Sequence, residues 1–390
     1  MKRIGDIVEQ IRGVSYKPED LHKNLNENSV VLLRANNIKD GELNFDDVVY
    51  VDRKKVSDKQ YLKAGDILIC ASSGSKELVG KAAYVNKELD VTFGAFCKVV
   101  RPKIECTKYV GHFFDSPNYR RKISNASAGA NINNIRTEDI DSLDIPFPPL
   151  EKQQEIVARL DKVTDLIALR KQQLSKLDEL VKARFVELFG DPVVNPKSWE
   201  TAPLSALIIN ANNGMARRGK DADGSIVLRL VELQNGFIDY SAPNRICLNE
   251  TEKKRYELVD NDFLFARVNG NPDYVGRCAV FKSIDEPVFH NDHIIRVHFD
   301  EAKINGCFMS VLLNSDYGKR QMREQIKTSA GQYTISQDGI GAIIAILPPL
   351  ELQNQFAAFV EQTDKSKLAI QKSLDQLETL KKALMQEYFG

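Results

Sequence analysis

Apolar residues recur at steps of three and four over two long stretches of the chain. Ile156, Leu160, Val163, Ile167, Leu174, Leu177, Val181 and Leu188 form one seam. Phe356, Val360, Ile370, Leu374, Leu377, Leu384 and Tyr388 form a second. This 3-4 spacing predicts two amphipathic helices, each beginning near a Pro-Pro pair and ending near Phe-Gly. Arg170, Thr363 and Lys367 interrupt the seams. Elsewhere the apolar positions cluster in short, β-branched runs flanked by Gly or Asn. Val30–Leu33, Asp66–Cys70, Lys81–Val85 and Ala95–Val100 read as strands, as do Ile226–Leu230, Asp262–Ala266, Arg277–Phe281 and His293–His298. Lys108–Lys122 and Asn305–Lys327 read as helices.

The two seams are copies. Pro148-Pro149-Leu150-Glu151 returns as Pro348-Pro349-Leu350-Glu351, and Phe189-Gly190 as Phe389-Gly390. Across this piece 14 of 43 aligned positions are identical without a gap, which chance does not supply. The segments between the helices repeat too. Asp66-Ile-Leu-Ile matches Asp262-Phe-Leu-Phe, Val79-Gly80-Lys81 matches Val275-Gly276-Arg277, and Ser127-Ala128-Gly129 matches Ser329-Ala330-Gly331. An internal repeat outranks any local motif in deciding a fold. The expected class is α+β: two similar mixed α/β globules, 1–147 and 191–347, each followed by a long helical segment, 148–190 and 348–390. Each heptad seam needs a helical partner, and its twin is available, so an antiparallel coiled-coil pair is expected. At 1.5 Å per residue each helix would reach about 60 Å and hold the globules apart.

Composition narrows the class further. No stretch of eighteen apolar residues is present to span a membrane, and the start turns polar too soon for a signal peptide. Six cysteines lie scattered without a C-x-x-C pair, several in apolar runs, and read as buried thiols of a cytosolic protein. Basic and acidic residues number 23 and 21 in 1–149, and 18 and 20 in 191–347, so neither globule is basic overall. A nucleic-acid partner would therefore need basic side chains gathered on one face. No G-x-x-x-x-G-K-[ST] phosphate loop exists. Asn271-Pro272-Asp273-Tyr274 lacks the second proline of an adenine-methyltransferase string, and its counterpart Ser75–Leu78 has no likeness to it, so it reads as a loop. His290, His293 and His298 lack a completing ligand pattern for zinc, and no metal is expected.

Two similar globules, each followed by a Pro-Pro-Leu-x-x-Gln helix ending in Phe-Gly, resemble the specificity (S) subunit of type I restriction-modification systems. The resemblance covers the whole chain. It rests most on Ile145-Pro-Phe-Pro-Pro-Leu-Glu-Lys-Gln-Gln-Glu-Ile and Leu-Phe-Gly-Asp191-Pro192. The domain openings support it: Ile4-Gly-Asp-Ile7 then Gly13, echoed by Leu204-Ser-Ala-Leu207 then Gly214. The resemblance implies a non-catalytic DNA reader of a bacterial or archaeal cytoplasm. Each globule would be a target recognition domain for one half of a bipartite site. The helix pair would set the spacer and dock two methyltransferase (M) subunits, which carry S-adenosylmethionine and methylate adenine. Restriction and translocase (R) subunits, using ATP and Mg, would join through the complex. The chain itself would bind no cofactor. A type IIB-like specificity subunit and a scaffold that binds no DNA are the competing readings.

Base reading needs Arg, Lys, Asn, Gln or Ser on a groove-entering element, with phosphate contacts around it. Three clusters per globule qualify. The early loops offer Lys17, and Arg217, Arg218 and Lys220. The mid-domain loops offer Ser73 and Lys76, and Arg267, Asn269 and Asn271. The late segments offer Arg120, Arg121, Lys122, Asn131, Asn133 and Asn134, and Lys319, Arg320, Gln332 and Tyr333. Gly129 and Gly331 would let backbone approach a phosphate. Arg34 and Arg229 match between copies and are expected to hold structure rather than read bases.

Overall fold

The structure is a computed structural model that describes every residue except Lys76, residues 127–132 and Ala330. The chain forms two compact units. One comprises 1–173 with 370–390, the other 174–369.

In the first unit the apolar run Ile67–Cys70 is buried along its whole length and lies inside a four-stranded antiparallel sheet. The order is Ala82–Tyr84, Ile67–Cys70, Cys97–Pro102, Val8–Arg12. A second sheet orders Val91–Phe93, Ser29–Leu33, Val49–Asp52, Leu21–His22, its first pair parallel. The second unit repeats the design. Ile208–Asn213, Ile294–Phe299, Asp262–Ala266 and Cys278–Val280 form the antiparallel sheet. Arg245–Ile246, Ser225–Leu228 and Val288–His290 form the other, again with one parallel pair. The shared topology extends the duplication from the sequence to the strand order.

Three readings need correction. Lys108–Lys122 is not one helix but two, Thr107–Asp115 and Pro117–Ala126. Pro117 has no N–H and disfavours helix at Ser116, so the chain turns there. Asn305–Lys327 likewise divides into Gly306–Asn314 and Asp316–Gln325. Ser315 accepts the Gly318 N–H at 3.5 Å and caps the second piece. The strands read from Ala95 and His293 begin later, at Cys97 and Ile294, because the preceding residues form turns.

The long helices run Leu150–Phe189 and Leu350–Phe389. Both start the same way. Gln153 and Gln353 are buried, and each donates its side-chain amide to a proline carbonyl, Pro148 or Pro348, at 2.8 Å. In the first unit the helices run antiparallel, with Arg159 against Tyr388 at 3.5 Å and Arg170 on Ser373 Oγ at 3.2 Å. In the second, Lys367 pairs with Asp178 at 2.7 Å and Phe185 packs on Phe356 at 5.5 Å. Ile156, Leu160, Val163, Ile167, Phe356, Val360 and Leu374 are buried, while Leu174, Leu177 and Ile370 are half-buried.

Each helix therefore belongs to both units. Ile156 and Leu160 start the first helix in the core of the first globule, and Phe189 ends it in the core of the second. Phe356 and Val360 start the second helix in the second core, and Phe389 ends it in the first. The linear segments 148–190 and 348–390 describe the helices but not the compact units, because Phe189 and Phe389 are each buried against the other copy's globule.

Candidate nucleic-acid interface

In each globule a β-turn joins the early loop, the mid-domain loop and the ribbon part of the late segment, while Arg120–Lys122 and Lys319–Arg320 stand on separate helices. The first turn is Gly94–Cys97, closed by Cys97 N–H to the Gly94 carbonyl at 2.8 Å. The early loop joins it through Val14 N–H to Phe93 O at 2.7 Å and Ala95 N–H to Val14 O at 2.9 Å. The mid-domain loop joins through Ala71 and Ser72, whose N–H groups donate to Phe96 O at 2.9 and 3.0 Å. The late segment pairs with that loop as a small ribbon, Asn133 opposite Ser73 and Asn134 opposite Ser72. Ile135 N–H to Ala71 O at 2.8 Å ties its base.

The second turn, Asn291–Ile294, is closed at 2.9 Å and reproduces these links. Met215 N–H donates to His290 O at 3.0 Å, and Asp292 N–H to Met215 O at 3.0 Å. Arg267 N–H donates to His293 O at 2.7 Å, and Ile335 N–H to Arg267 O at 2.9 Å. Asn269 faces Tyr333, and Lys327–Ser329 adds a third strand to the ribbon. Segments far apart in sequence thus form one surface per globule.

The approach of loop to turn depends on glycine. A Cβ on Gly13 would lie 2.1 Å from the Gly94 carbonyl oxygen, and one on Gly214 2.2 Å from that of Asn291. Among the described residues nothing lies within 4 Å of the Cβ position of Gly331, where φ is +79°, which leaves its backbone open to a ligand. Gly129, Lys76 and Asn131 lie outside the described residues.

The candidate side chains differ in how free they are. Lys122, Lys220, Lys319, Arg320, Asn134 and Gln332 are exposed. Lys17 is exposed, with Glu19 at 3.7 Å. Arg121 is exposed and donates to Asn118 Oδ1 at 3.0 Å. Arg120 is half-buried and donates to the Val79 and Glu77 carbonyls at 2.7 and 2.9 Å, so it ties its helix to the neighbouring loop. Arg217 is held by Glu252 at 2.8 Å and by the Cys247 carbonyl. Arg218 meets Asp292 at 2.7 Å and donates to His293 Nε2 at 3.1 Å. Arg267 donates to the Asp292 carbonyl at 3.2 Å. Burial lowers the His293 pKa from its ordinary value, Asp292 opposes this, and the charges of Arg218 and Arg267 lower it further. Arginine can only donate, so Nε2 is the acceptor of the Arg218 hydrogen bond. Asn269 and Asn271 spend their side-chain oxygens on loop N–H groups, at 2.9 and 3.0 Å.

The remaining candidates resolve simply. Arg34 pairs with Asp47 at 2.9 Å and Arg229 with Glu232 at 2.6 Å, the structural use expected of matched residues. Asn271–Tyr274 is a capped turn whose Asp273 pairs with Arg323 at 2.6 Å. His290 is buried on the Tyr256 carbonyl, and His298 sits on Asp262. The cysteine reading fails at Cys247, which is exposed in a polar loop. No helix of the described residues is long and apolar enough to cross a membrane.

Sequence reasoning passed over Phe96. It lies at the third position of the first turn and is 69% exposed, more than any other described phenylalanine. The strand reading of Ala95–Val100 hid it. Gly94 just before the apolar run was the available signal for a turn.

The duplicated α+β globules, each with a turn-centred polar surface, define a class of two-copy recognition proteins, and comparison with known proteins places the chain within it. A family profile described as the type I restriction modification DNA specificity domain matches residues 1–179. The StySPI specificity subunit of Salmonella potsdam, a type I restriction enzyme subunit, is 33% identical over 99% of this chain and 87% of its own length. The EcoKI specificity subunit of Escherichia coli K12 is 31% identical over 92% of this chain and 80% of its own. A solved type I S subunit from M. genitalium shares the fold, with a TM-score of 0.58 at 14% identity, covering 100% of this chain and 95% of that one. The chain belongs to the specificity subunits of type I restriction enzymes. It is a DNA-recognition subunit rather than a catalytic one.

Proposed function

We propose that each turn-centred surface reads one half of a bipartite DNA site. The observation that carries this reading is the matched convergence of early loop, mid-domain loop and late ribbon in both globules. Two-stranded ribbons fit the major groove, where each base pair shows a distinct donor and acceptor pattern. Lys122, Lys220, Lys319 and Arg320 supply phosphate contacts. Ser73, Asn134 and Gln332 supply hydrogen bonds to base edges. The two surfaces differ in side chains and so read different half-sites.

The long helices set the number of base pairs between the half-sites and dock two M subunits. Those subunits carry S-adenosylmethionine and methylate adenine, while R subunits bring ATP and Mg for restriction. Matched leucines support the docking role: Leu180 and Leu380 occupy equivalent positions and are 48% and 46% exposed.

Co-expression with an M subunit followed by mapping of methylated adenines tests the reading. A single split motif with a fixed nonspecific gap is expected. An assembled complex that adds no methylation would overturn it in favour of a scaffold.

A further inference from the structure

We propose that Phe96 is a base-contacting residue that sets specificity in the first half-site, and that His293 with Arg218 takes the same place in the second. The inference rests on the DNA-reading function proposed above and goes beyond it to one position per globule. That position is the third residue of the matched turns, Gly94–Cys97 and Asn291–Ile294.

Three observations converge on it. The backbone at Phe96 is fixed from both sides. Its carbonyl accepts from Ala71 and Ser72, and Ala95 beside it donates to Val14. Phe96 thus stands between the early loop and the ribbon carrying Ser72, Ser73, Asn133 and Asn134. A phenyl ring on a pinned turn loses little conformational freedom on binding. Second, the ring is left in water although apolar cores lie on either side of the turn. Phe93 and Cys97, its near neighbours in sequence, are both fully buried. Third, the chemistry at this position changes between the copies. The second turn carries an imidazole, with Arg218 donating to Nε2 at 3.1 Å and Asp292 pairing with Arg218 at 2.7 Å.

An apolar ring on a groove-facing turn contacts the thymine methyl group or a base face, and it cannot hydrogen-bond a phosphate. A histidine whose Nε2 accepts from Arg218 keeps an Nδ1–H, which instead donates to an acceptor such as guanine N7 or O6. Two copies of one scaffold with opposite chemistry at one place is what different half-sites require.

The test uses the assembled methyltransferase carrying Phe96→Ala, Phe96→Leu or His293→Ala, with adenine methylation mapped for each. Binding to cognate and to unrelated duplexes is then titrated across a range of salt. Phe96→Ala is expected to relax one or two base positions in one half-site only and to weaken cognate binding about 5- to 100-fold. The salt slope and binding to unrelated DNA stay unchanged. Phe96→Leu retains part of the preference. His293→Ala relaxes the other half-site. An unaltered motif with unaltered affinity overturns the proposal, as does equal weakening on cognate and unrelated DNA. A wild-type complex that methylates no split motif defeats the underlying DNA-reading function instead. Because Phe96 is exposed, a loss of thermal stability in Phe96→Ala beyond that of Phe96→Leu would assign it a structural role and also overturn the proposal.

Discussion

Asn118 donates its side-chain amide to the carbonyl of Phe389 at 2.6 Å, across 271 residues of sequence. Phe389 itself packs on Tyr109 at 5.2 Å and on Phe113 at 5.9 Å between ring centroids. The last turn of a helix leaves carbonyls without intrahelical partners, and Asn118 satisfies one of them. The second unit solves the same problem differently. There Trp199 Nε1 donates to the Phe189 carbonyl at 2.9 Å, and Phe189 packs on Phe308 at 4.8 Å. Removing the Phe389 ring should therefore destabilise the first unit by about 3–5 kcal/mol, the range for deleting a buried aromatic. Asn118→Ala should cost less, about 1–2 kcal/mol. Chemical denaturation followed by circular dichroism orders the two variants, and hydrogen exchange localises the loss to the first globule.

Arg120 and Lys122 are two residues apart and should behave oppositely. Arg120→Ala removes hydrogen bonds to two loop carbonyls and is expected to lower the melting temperature. Lys122→Ala removes an exposed charge and should leave stability within about 0.5 kcal/mol of wild type. If Lys122 contacts a phosphate, the log–log salt dependence of DNA binding becomes shallower by about 0.9. An unchanged slope removes Lys122 from the interface.

Gly13→Ala and Gly214→Ala should each displace the turn they cross, since the new methyl would overlap a carbonyl oxygen. Methylation mapping of the assembled complex is expected to show loss of one half-site preference for each variant, and a different half-site for the two. Equal damage to both half-sites would show that the two turns do not act separately.

His290 should make the second unit sensitive to acid. Burial lowers its pKa from 6.5 to about 4, and its Nδ1 faces the Tyr256 carbonyl. The fold holds the neutral ring, so the unfolded chain takes up the proton first as pH falls. Its contribution is full above about pH 6.5 and declines as pH falls toward about 4, by roughly 3 kcal/mol in all. Denaturant midpoints between pH 7.5 and 4.5 should fall less steeply in His290→Gln than in wild type.

The repeat, the helix bounds and the buried seams were legible in the sequence because they depend on local, periodic physics. Pro-Pro starts a helix, Gly190 at φ +79° ends one, and a 3-4 seam demands a helical partner. Three of the four antiparallel strands in each unit were legible too, since runs such as Asp262–Ala266 bury every residue, whereas the partly exposed Val8–Arg12 and Ile208–Asn213 were not read as strands. Arg120 and Lys122 looked alike in sequence, and only the position of the Glu77 and Val79 carbonyls separates them. Phe96 was hidden because a turn fixed by Val14, Ala71 and Ser72 depends on contacts that no local window contains. The units themselves cut across the helices, since Phe189 is buried in the globule that follows it and Phe389 in the first globule, far from it in sequence. Sequence alone determined the duplication, the two long helices and most of the buried strands. Tertiary structure decided which charges are free, which loops meet and where each helix ends, because burial and hydrogen-bond partnership are set by residues distant along the chain.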